Sequence, residues 1–257
     1  MGGLLRKVLL SILSTAFLGG FAVAQKQAPY PVTNVLLVHG AFADSSSWKK
    51  VIPILKAKGL HVVTVDIPLT SLAEDVAVTR IAVSLQTGPV LLVGHSYGGT
   101  VITEAGDDPK VAGLVYVAAY APGEGQTTGE LGSAFPITPG SAEIQPQPGG
   151  LLRLSEKGVS EDFAPDLPAS EQSSVFASQI PLAAASFQVK LSTAAWNTKP
   201  SWYIVATNDR IINPDLERSL AKRMDAKTTE IPSSHVVMLS HPDETAAVII
   251  QAAAAGK

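Results

Sequence analysis

The sequence contains no cysteine among its 257 residues. This absence excludes disulfide bonds, cysteine-based zinc and iron–sulfur sites, and a thiol nucleophile. An excess of positive charge is also lacking, because 19 basic and 22 acidic residues give a formal net charge of −3. We therefore expect no basic surface for nucleic acid. Beyond the first 24 residues, no apolar run is long enough to cross a bilayer.

Residues 1–24 have the composition of a secretory signal peptide. Arg6 and Lys7 precede an apolar stretch at 8–23, and Ala22-Val23-Ala24 fits a small-residue cleavage site. The alternative is a retained membrane anchor, but the apolar stretch is short for a span and ends in small residues. We therefore expect cleavage, and a secreted or periplasmic protein that spans 25–257 and makes no membrane contact.

The chain alternates between strand-like and helix-like patterns. Apolar, β-branched runs predict strands at 34–39, 60–67, 90–94, 111–119, 201–207 and 227–231. Helical periodicity predicts helices at 45–59, 72–86, 97–105, 214–224 and 242–255. Within these, we expect Pro53 to kink or bound the first helix, and Ser240 with Asp243 to form a capping box for the last. The alternation predicts an α/β fold with a doubly wound, mostly parallel sheet.

One long segment breaks this alternation. Residues 121–200 are rich in Pro, Gly, Gln and Ser, with helical pieces around 168–195. Because about 80 residues are too many for a simple loop between two strands, we expect an inserted cap.

A nucleophile elbow is the clearest functional motif. The run Gly94-His95-Ser96-Tyr97-Gly98 follows a buried strand and opens a helix. G-x-S-x-G in that context presents a serine hydroxyl above a sheet edge. The alternative is an ordinary tight turn with an inert serine. We expect Ser96 to be a nucleophile.

A serine nucleophile needs a base, and the sequence has five histidines. His61 begins a strand, His39 is expected to shape the loop after the first strand, and His95 points away from its neighbour Ser96. His241 lies at the start of the last helix, in the capping region. His235 follows the last strand by a short loop, at the carboxyl edge where Ser96 lies, and is therefore the expected base.

The base needs a carboxylate partner, and Asp209 follows the strand at 201–207. The order Ser96, Asp209, His235 is that of α/β-hydrolases. An ordinary turn aspartate paired with Arg210 is the alternative, with Asp215 and Asp66 as other candidates for the acid.

An oxyanion hole requires backbone N–H groups near the nucleophile. Tyr97, directly after Ser96, is expected to supply one. The loop after the first strand is expected to supply the other, from Ala41 or, as second choice, Phe42.

The combined motifs resemble the α/β-hydrolase superfamily. More closely, the chain resembles the small esterases that include plant methylesterases, hydroxynitrile lyases and bacterial pyrethroid-type carboxylesterases. The shared motifs are HGA at 39–41, GHSYGG at 94–99, T-x-D at 207–209 and H-x-x-M-L at 235–239. Lyases of this group carry threonine at the position of Gly40 and lysine at that of Val236, so these departures favour ester hydrolysis.

The resemblance implies a serine hydrolase of small carboxylic esters that needs no cofactor and no metal, acting through an acyl-enzyme. Two alternatives stay open: a lyase or acyltransferase with the same triad, and a non-catalytic receptor for a small ligand. The sequence does not assign an oligomeric state.

Overall fold

A computed structural model describes residues 30–255 of the chain. The expected signal segment at 1–24 lies outside this range. Within 30–255 there are nine strands: β1 (Asn34–Val38), β2 (His61–Val65), β3 (Val90–His95), β4 (Val111–Val117), β5 (Ile144–Gln147), β6 (Leu151–Leu154), β7 (Leu182–Ala183), β8 (Ser201–Ala206) and β9 (Lys227–Ile231). Six of these strands form the main sheet, in the order β2-β1-β3-β4-β8-β9.

Every neighbouring pair in the main sheet is parallel. All residues of β1, β3 and β8 are buried, as expected for parallel strands with both faces covered. The predicted α/β architecture with a parallel sheet is therefore confirmed. Parallel strands end at the same edge, so the loops after β1, β3, β8 and β9 lie together there.

Eight α-helices connect or cover the strands: α1 (Val51–Ala57), α2 (Leu72–Ser84), α3 (Tyr97–Ala105), α4 (Glu156–Gly158), α5 (Ala169–Ala177), α6 (Pro214–Arg223), α7 (Val237–Ser240) and α8 (Pro242–Ala255), all within the described range. α1 packs against α8, and α2 packs against α3. Among residues 30–255, none of the helices has the length and apolarity that a bilayer span requires.

The first predicted helix is divided in the structure. A 3₁₀ turn at Ser45–Trp48, capped by the Asp44 side chain, precedes α1. The break lies at residues 49–50, before Pro53. Pro53 is the third residue of α1, where an amide has no partner within the helix, so it does not kink the helix.

The expected capping box at Ser240 is wrong. α8 begins at Pro242, and Ser240 is the last residue of α7. The Ser240 hydroxyl instead shares a 2.6 Å hydrogen bond with the Ser233 hydroxyl. The carbonyl of His241 accepts from the Thr245 amide, so His241 lies at the helix start, as expected.

Between β4 and β8 the chain forms a second, antiparallel sheet in the order β5-β6-β7. Helices α4 and α5, a π-helical turn at Val159–Phe163 and several 3₁₀ turns accompany this sheet. The amide of Ala183 in β7 donates to the Leu69 carbonyl at 2.8 Å, which attaches the second sheet to the loop after β2. We call residues 121–200 the cap segment.

Candidate active site

Ser96 lies in a strained turn between β3 and α3. Its backbone φ is 53° and its ψ is −122°, a region that residues other than glycine rarely adopt and that costs on the order of 1–3 kcal/mol. A Cβ at Gly98 would lie 2.6 Å from the His39 carbonyl oxygen, so only glycine lets α3 begin this close to β1. The turn has the geometry of a nucleophile elbow, and Ser96 is 5% exposed.

The loops after β8 and β9 bring Asp209 and His235 together. Nδ1 of His235 lies 2.5 Å from Oδ2 of Asp209, and both side chains are fully buried. Oδ1 of Asp209 accepts from the amides of Ile211 at 2.7 Å and Ile212 at 3.0 Å. Since the carboxylate accepts the Nδ1 proton, Nε2 keeps its lone pair, and it has no hydrogen-bond partner within residues 30–255.

His95 connects the elbow to His235. Its Nε2 donates to the His235 carbonyl oxygen at 3.0 Å, and the two ring centroids are 4.7 Å apart. Burial lowers the pKa of His95 well below its usual value, so the ring stays neutral. His95 directly precedes Ser96, so its bond to the His235 carbonyl holds the backbone of His235 beside the elbow. The sequence did not indicate this role.

The loop after β1 runs against the elbow. A Cβ at Gly40 would lie 2.7 Å from Cβ of Ser96. This contact places the adjacent residue, Ala41, next to the elbow, and Tyr97 follows Ser96 directly. Neither the Ala41 nor the Tyr97 amide donates a hydrogen bond to another residue of the described chain. Two free amides near Ser96 suit an oxyanion hole.

His39 shapes this loop, as expected. The Ile67 amide donates to Nε2 of His39 at 3.1 Å, so the proton resides on Nδ1, which donates to the Gly40 carbonyl at 2.9 Å. Burial lowers the pKa of His39 and keeps the ring neutral.

Comparison with known proteins identifies the fold family. A family model described as "Alpha/beta hydrolase family" matches residues 35–248. The chain belongs to this family. The resemblance inferred from the sequence motifs is thereby confirmed.

Named relatives of this α/β-hydrolase are esterases and hydrolases. A pyrethroid hydrolase from Sphingobium wenxiniae is 27% identical over 85% of this chain and 86% of its own. A carbendazim hydrolyzing esterase from Nocardioides sp. is 28% identical over 84% of this chain and 97% of its own. Methylesterase 2 from Arabidopsis thaliana is 26% identical over 72% of this chain and 81% of its own.

Solved structures of the same group share the fold. The pyrethroid hydrolase from Sphingobium faniae superposes with a TM-score of 0.76 at 24% identity, covering 87% of this chain and 98% of its own. Polyneuridine aldehyde esterase superposes with a TM-score of 0.74 at 17% identity, covering 86% of this chain and 98% of its own.

Within residues 30–255, the pair of His235 and Asp209 in this α/β-hydrolase makes no hydrogen bond or ion pair with His61, Asp66, Asp215 or His241. His61 and Asp66 are exposed. Asp215 pairs with Arg218 at 2.8 Å on the surface of α6. His241 has its Nδ1 3.1 Å from the Ser240 hydroxyl.

Three residues of the cap segment hold the site, and the sequence indicated no role for two of them, Asp162 and Asp166. Asp162 pairs with Nε of Arg210 at 2.7 Å, so Arg210 is not the partner of its neighbour Asp209. The Phe163 ring lies 5.0 Å from the His235 ring, centroid to centroid. Asp166 accepts from the Ser234 amide at 2.8 Å and from its hydroxyl at 2.6 Å. The cap segment thus fixes the loops that carry both members of the pair.

Within residues 30–255, the acidic and histidine side chains form no cluster of three or more that could hold a metal ion. The polar groups at this edge of the sheet include the His235 imidazole, the Asp209 carboxylate and the amides of Ala41 and Tyr97. These groups suit acid–base and nucleophilic chemistry.

Proposed function

We propose that the protein is a serine carboxylesterase in which Ser96, His235 and Asp209 form the catalytic triad. The observation that carries this proposal is the His235 imidazole, fixed by Asp209 at Nδ1, with its free Nε2 in the same cluster as the Ser96 elbow. A neutral imidazole held in this tautomer is the general base that a serine nucleophile requires. The names of the relatives support ester hydrolysis.

The first half-reaction forms an acyl-enzyme. Ser96 Oγ attacks the acyl carbon as its proton passes to Nε2 of His235. The amides of Ala41 and Tyr97 stabilise the oxyanion of the tetrahedral intermediate. Collapse breaks the bond to the alcohol oxygen, and His235 returns the proton to the departing alcohol.

The second half-reaction is hydrolysis of the acyl-enzyme. Water gives a proton to Nε2 of His235 and attacks the acyl carbon. The bond to Ser96 Oγ then breaks, the serine regains its proton, and the carboxylic acid leaves. Asp209 stabilises the imidazolium that forms transiently in both halves.

We propose that the substrates are small, neutral, apolar esters. The cap segment carries eight acidic and four basic side chains, which disfavours anionic substrates. Phe163 contacts the His235 ring, and Phe187 contacts the Tyr97 ring at 5.7 Å, so apolar side chains lie beside the site. Trp196 and Phe176 instead stack against Arg223 and Arg153 within the fold.

The nucleophile is tested with Ser96→Ala and a matched control, Ser170→Ala, which changes an exposed serine on α5. We expect turnover of a p-nitrophenyl ester panel and labelling by a fluorophosphonate to be lost on the order of 10⁴-fold in Ser96→Ala alone. Full activity of Ser96→Ala on every ester would refute the proposal. Labelling of the wild type without turnover of any ester would indicate a receptor.

We further propose export and cleavage after Ala24, from the signal-like composition of residues 1–24. N-terminal sequencing of protein from its native host should begin at Gln25. An intact N-terminus in the membrane fraction would contradict this and indicate an anchor.

A further inference from the structure

Glu217 is a carboxyl group inside the fold that the proposed mechanism does not use. It lies on α6 and is fully buried. The adjacent Arg218 points away, pairing with Asp215 and Glu230 at the surface. Among residues 30–255 no basic side chain forms an ion pair with Glu217. A buried carboxylate without a cation is costly, so such a group is normally held protonated.

The contacts of Glu217 converge on the acid of the proposed triad. Its Oε2 accepts from the Ala206 amide at 3.0 Å, and the Ala206 carbonyl accepts from the Asp209 amide at 3.1 Å. The charge of Asp209 is also among the causes that raise the pKa of the Glu217 carboxyl, so the two carboxyl groups lie near each other. Oε1 of Glu217 is buried and has no hydrogen-bond partner in the described chain, so it is the oxygen left to bond a neighbouring carboxyl.

Two carboxyls that share a hydrogen bond need one proton between them. Asp209 accepts three N–H groups, from Ile211, Ile212 and Nδ1 of His235. Glu217 accepts one, from Ala206. Since accepted hydrogen bonds stabilise the charged form, Asp209 is the better site for the negative charge and Glu217 for the proton.

The groups around Glu217 agree with a proton on Glu217 and a negative charge on Asp209. Besides Asp209, the titratable groups that face Glu217 are the hydroxyls of Tyr120 and Tyr203, with Arg218 on its own helix. Burial, and then the charge of Asp209, raise the pKa of Glu217 well above its usual value.

We propose that Glu217 is a positioning residue that donates its carboxylic acid proton to Asp209 and so fixes the carboxylate that orients His235. This inference rests on the proposed triad. The donated bond restrains Asp209 in addition to its amide contacts with the 211–212 turn, and the proton on Glu217 keeps a second negative charge away from the base.

Three variants test the role. Glu217→Gln keeps a donor for Asp209 and an acceptor for the Ala206 amide, so its kcat should stay within about threefold of wild type. Glu217→Leu removes the donor, and kcat should fall about 10- to 100-fold, the typical effect of losing one hydrogen bond to a charged group. Asp215→Asn removes a surface carboxylate from the same helix and should leave kcat unchanged.

Infrared spectroscopy measures the protonation of Glu217 independently of catalysis. At about pH 8 the buried carboxyl group of Asp75 is ionised, because burial raises the pKa of Asp75 only to about 6. The carbonyl band of a protonated carboxylic acid should be present in wild type and in Asp215→Asn, and absent in Glu217→Gln. The acid limb of kcat/KM should lie at the same pH in wild type and Glu217→Gln. An ionised Glu217 would place a second negative charge near the base, so its removal would then move the limb to lower pH.

A wild type without that band, a shifted acid limb in Glu217→Gln, or a Glu217→Gln as slow as Glu217→Leu would each overturn the inference. These results do not depend on the nucleophile. If the band is present but Ser96→Ala is fully active, the proposed function fails and the shared proton stands. If Ser96→Ala is inactive but the band is missing, only the role of Glu217 fails.

Discussion

The buried carboxyl of Asp75 makes the stability of this protein depend on pH. Asp75 lies on α2 and is fully buried, although no cation pairs with it in the described part of the chain. Its Oδ1 accepts from the Leu69 amide at 2.8 Å, and its Oδ2 accepts from the Tyr97 hydroxyl at 2.9 Å. Burial raises the pKa of Asp75 from 3.8 to about 6.

The direction and size of the effect follow from proton linkage. The folded state binds the Asp75 proton more tightly than the unfolded chain does. The contribution of protonated Asp75 to the unfolding free energy is therefore fully present below about pH 4. It is lost as the pH rises through about 6. Two pKa units correspond to about 3 kcal/mol of unfolding free energy. For a protein of this size, that equals roughly 6–12 °C in melting temperature.

Asp75→Asn removes the titration while keeping the shape of the side chain. We expect the difference in unfolding free energy, wild type minus variant, to fall by about 3 kcal/mol between about pH 4 and pH 7. Urea unfolding at four pH values in this range measures it, and other titrating groups cancel in the difference. The control Asp107→Asn, at an exposed carboxylate paired with Arg80, should give a nearly flat difference. A flat difference for Asp75→Asn would refute the reasoning.

The remaining predictions concern the site itself. His235→Ala should lower kcat about as much as Ser96→Ala, because triad members act as a unit, whereas His241→Ala should cost at most about 1 kcal/mol of stability; a larger loss of kcat at His241 would reverse the assignment. Gly40→Ala places a methyl 2.7 Å from Cβ of Ser96, so kcat should fall by at least about tenfold while the fold persists by circular dichroism, and an unchanged kcat would contradict the close approach. Asp166→Asn weakens the bonds to the loop before the base, and we expect kcat to fall with little change in KM; a change in KM alone would place Asp166 in substrate binding instead. Neutral esters should have higher kcat/KM than carboxylate-bearing esters of matched size, and faster turnover of the anionic series, slowed by salt, would indicate a positive pocket.

The parts of the fold that the sequence predicted are those with local signals. Buried parallel strands are continuous apolar runs, and the elbow combines such a run with glycines in a fixed spacing. The pairing of Asp209 with His235 followed from parallel topology, since both residues follow strands that end at the same edge. Here the local pattern and the tertiary arrangement agree.

The parts that the sequence did not predict depend on contacts between distant segments. Asp166 and Ser234 are 68 residues apart, and Asp162 and Arg210 are 48 apart, so no periodic pattern joins them. Glu217 looks like a surface residue in a polar helix, and only the packing of α6 on β8 buries it. The antiparallel sheet was missed because β5 contains Pro146, which a strand tolerates only at a sheet edge.

The wide separation of the site residues along the chain has a consequence for biosynthesis. His95 and His235 are joined by a hydrogen bond although they are 140 positions apart in the chain. The elbow therefore leaves the ribosome long before the acid and the base, and the cluster forms only after β9 has joined the sheet edge. Such long-range pairing is the slow part of folding, since the closure of a long loop precedes any contact that stabilises it. Nascent or truncated chains that end before His235 should thus be unable to turn over esters. During refolding, the return of ester hydrolysis reports the arrival of the last strand, later than helix formation measured by circular dichroism.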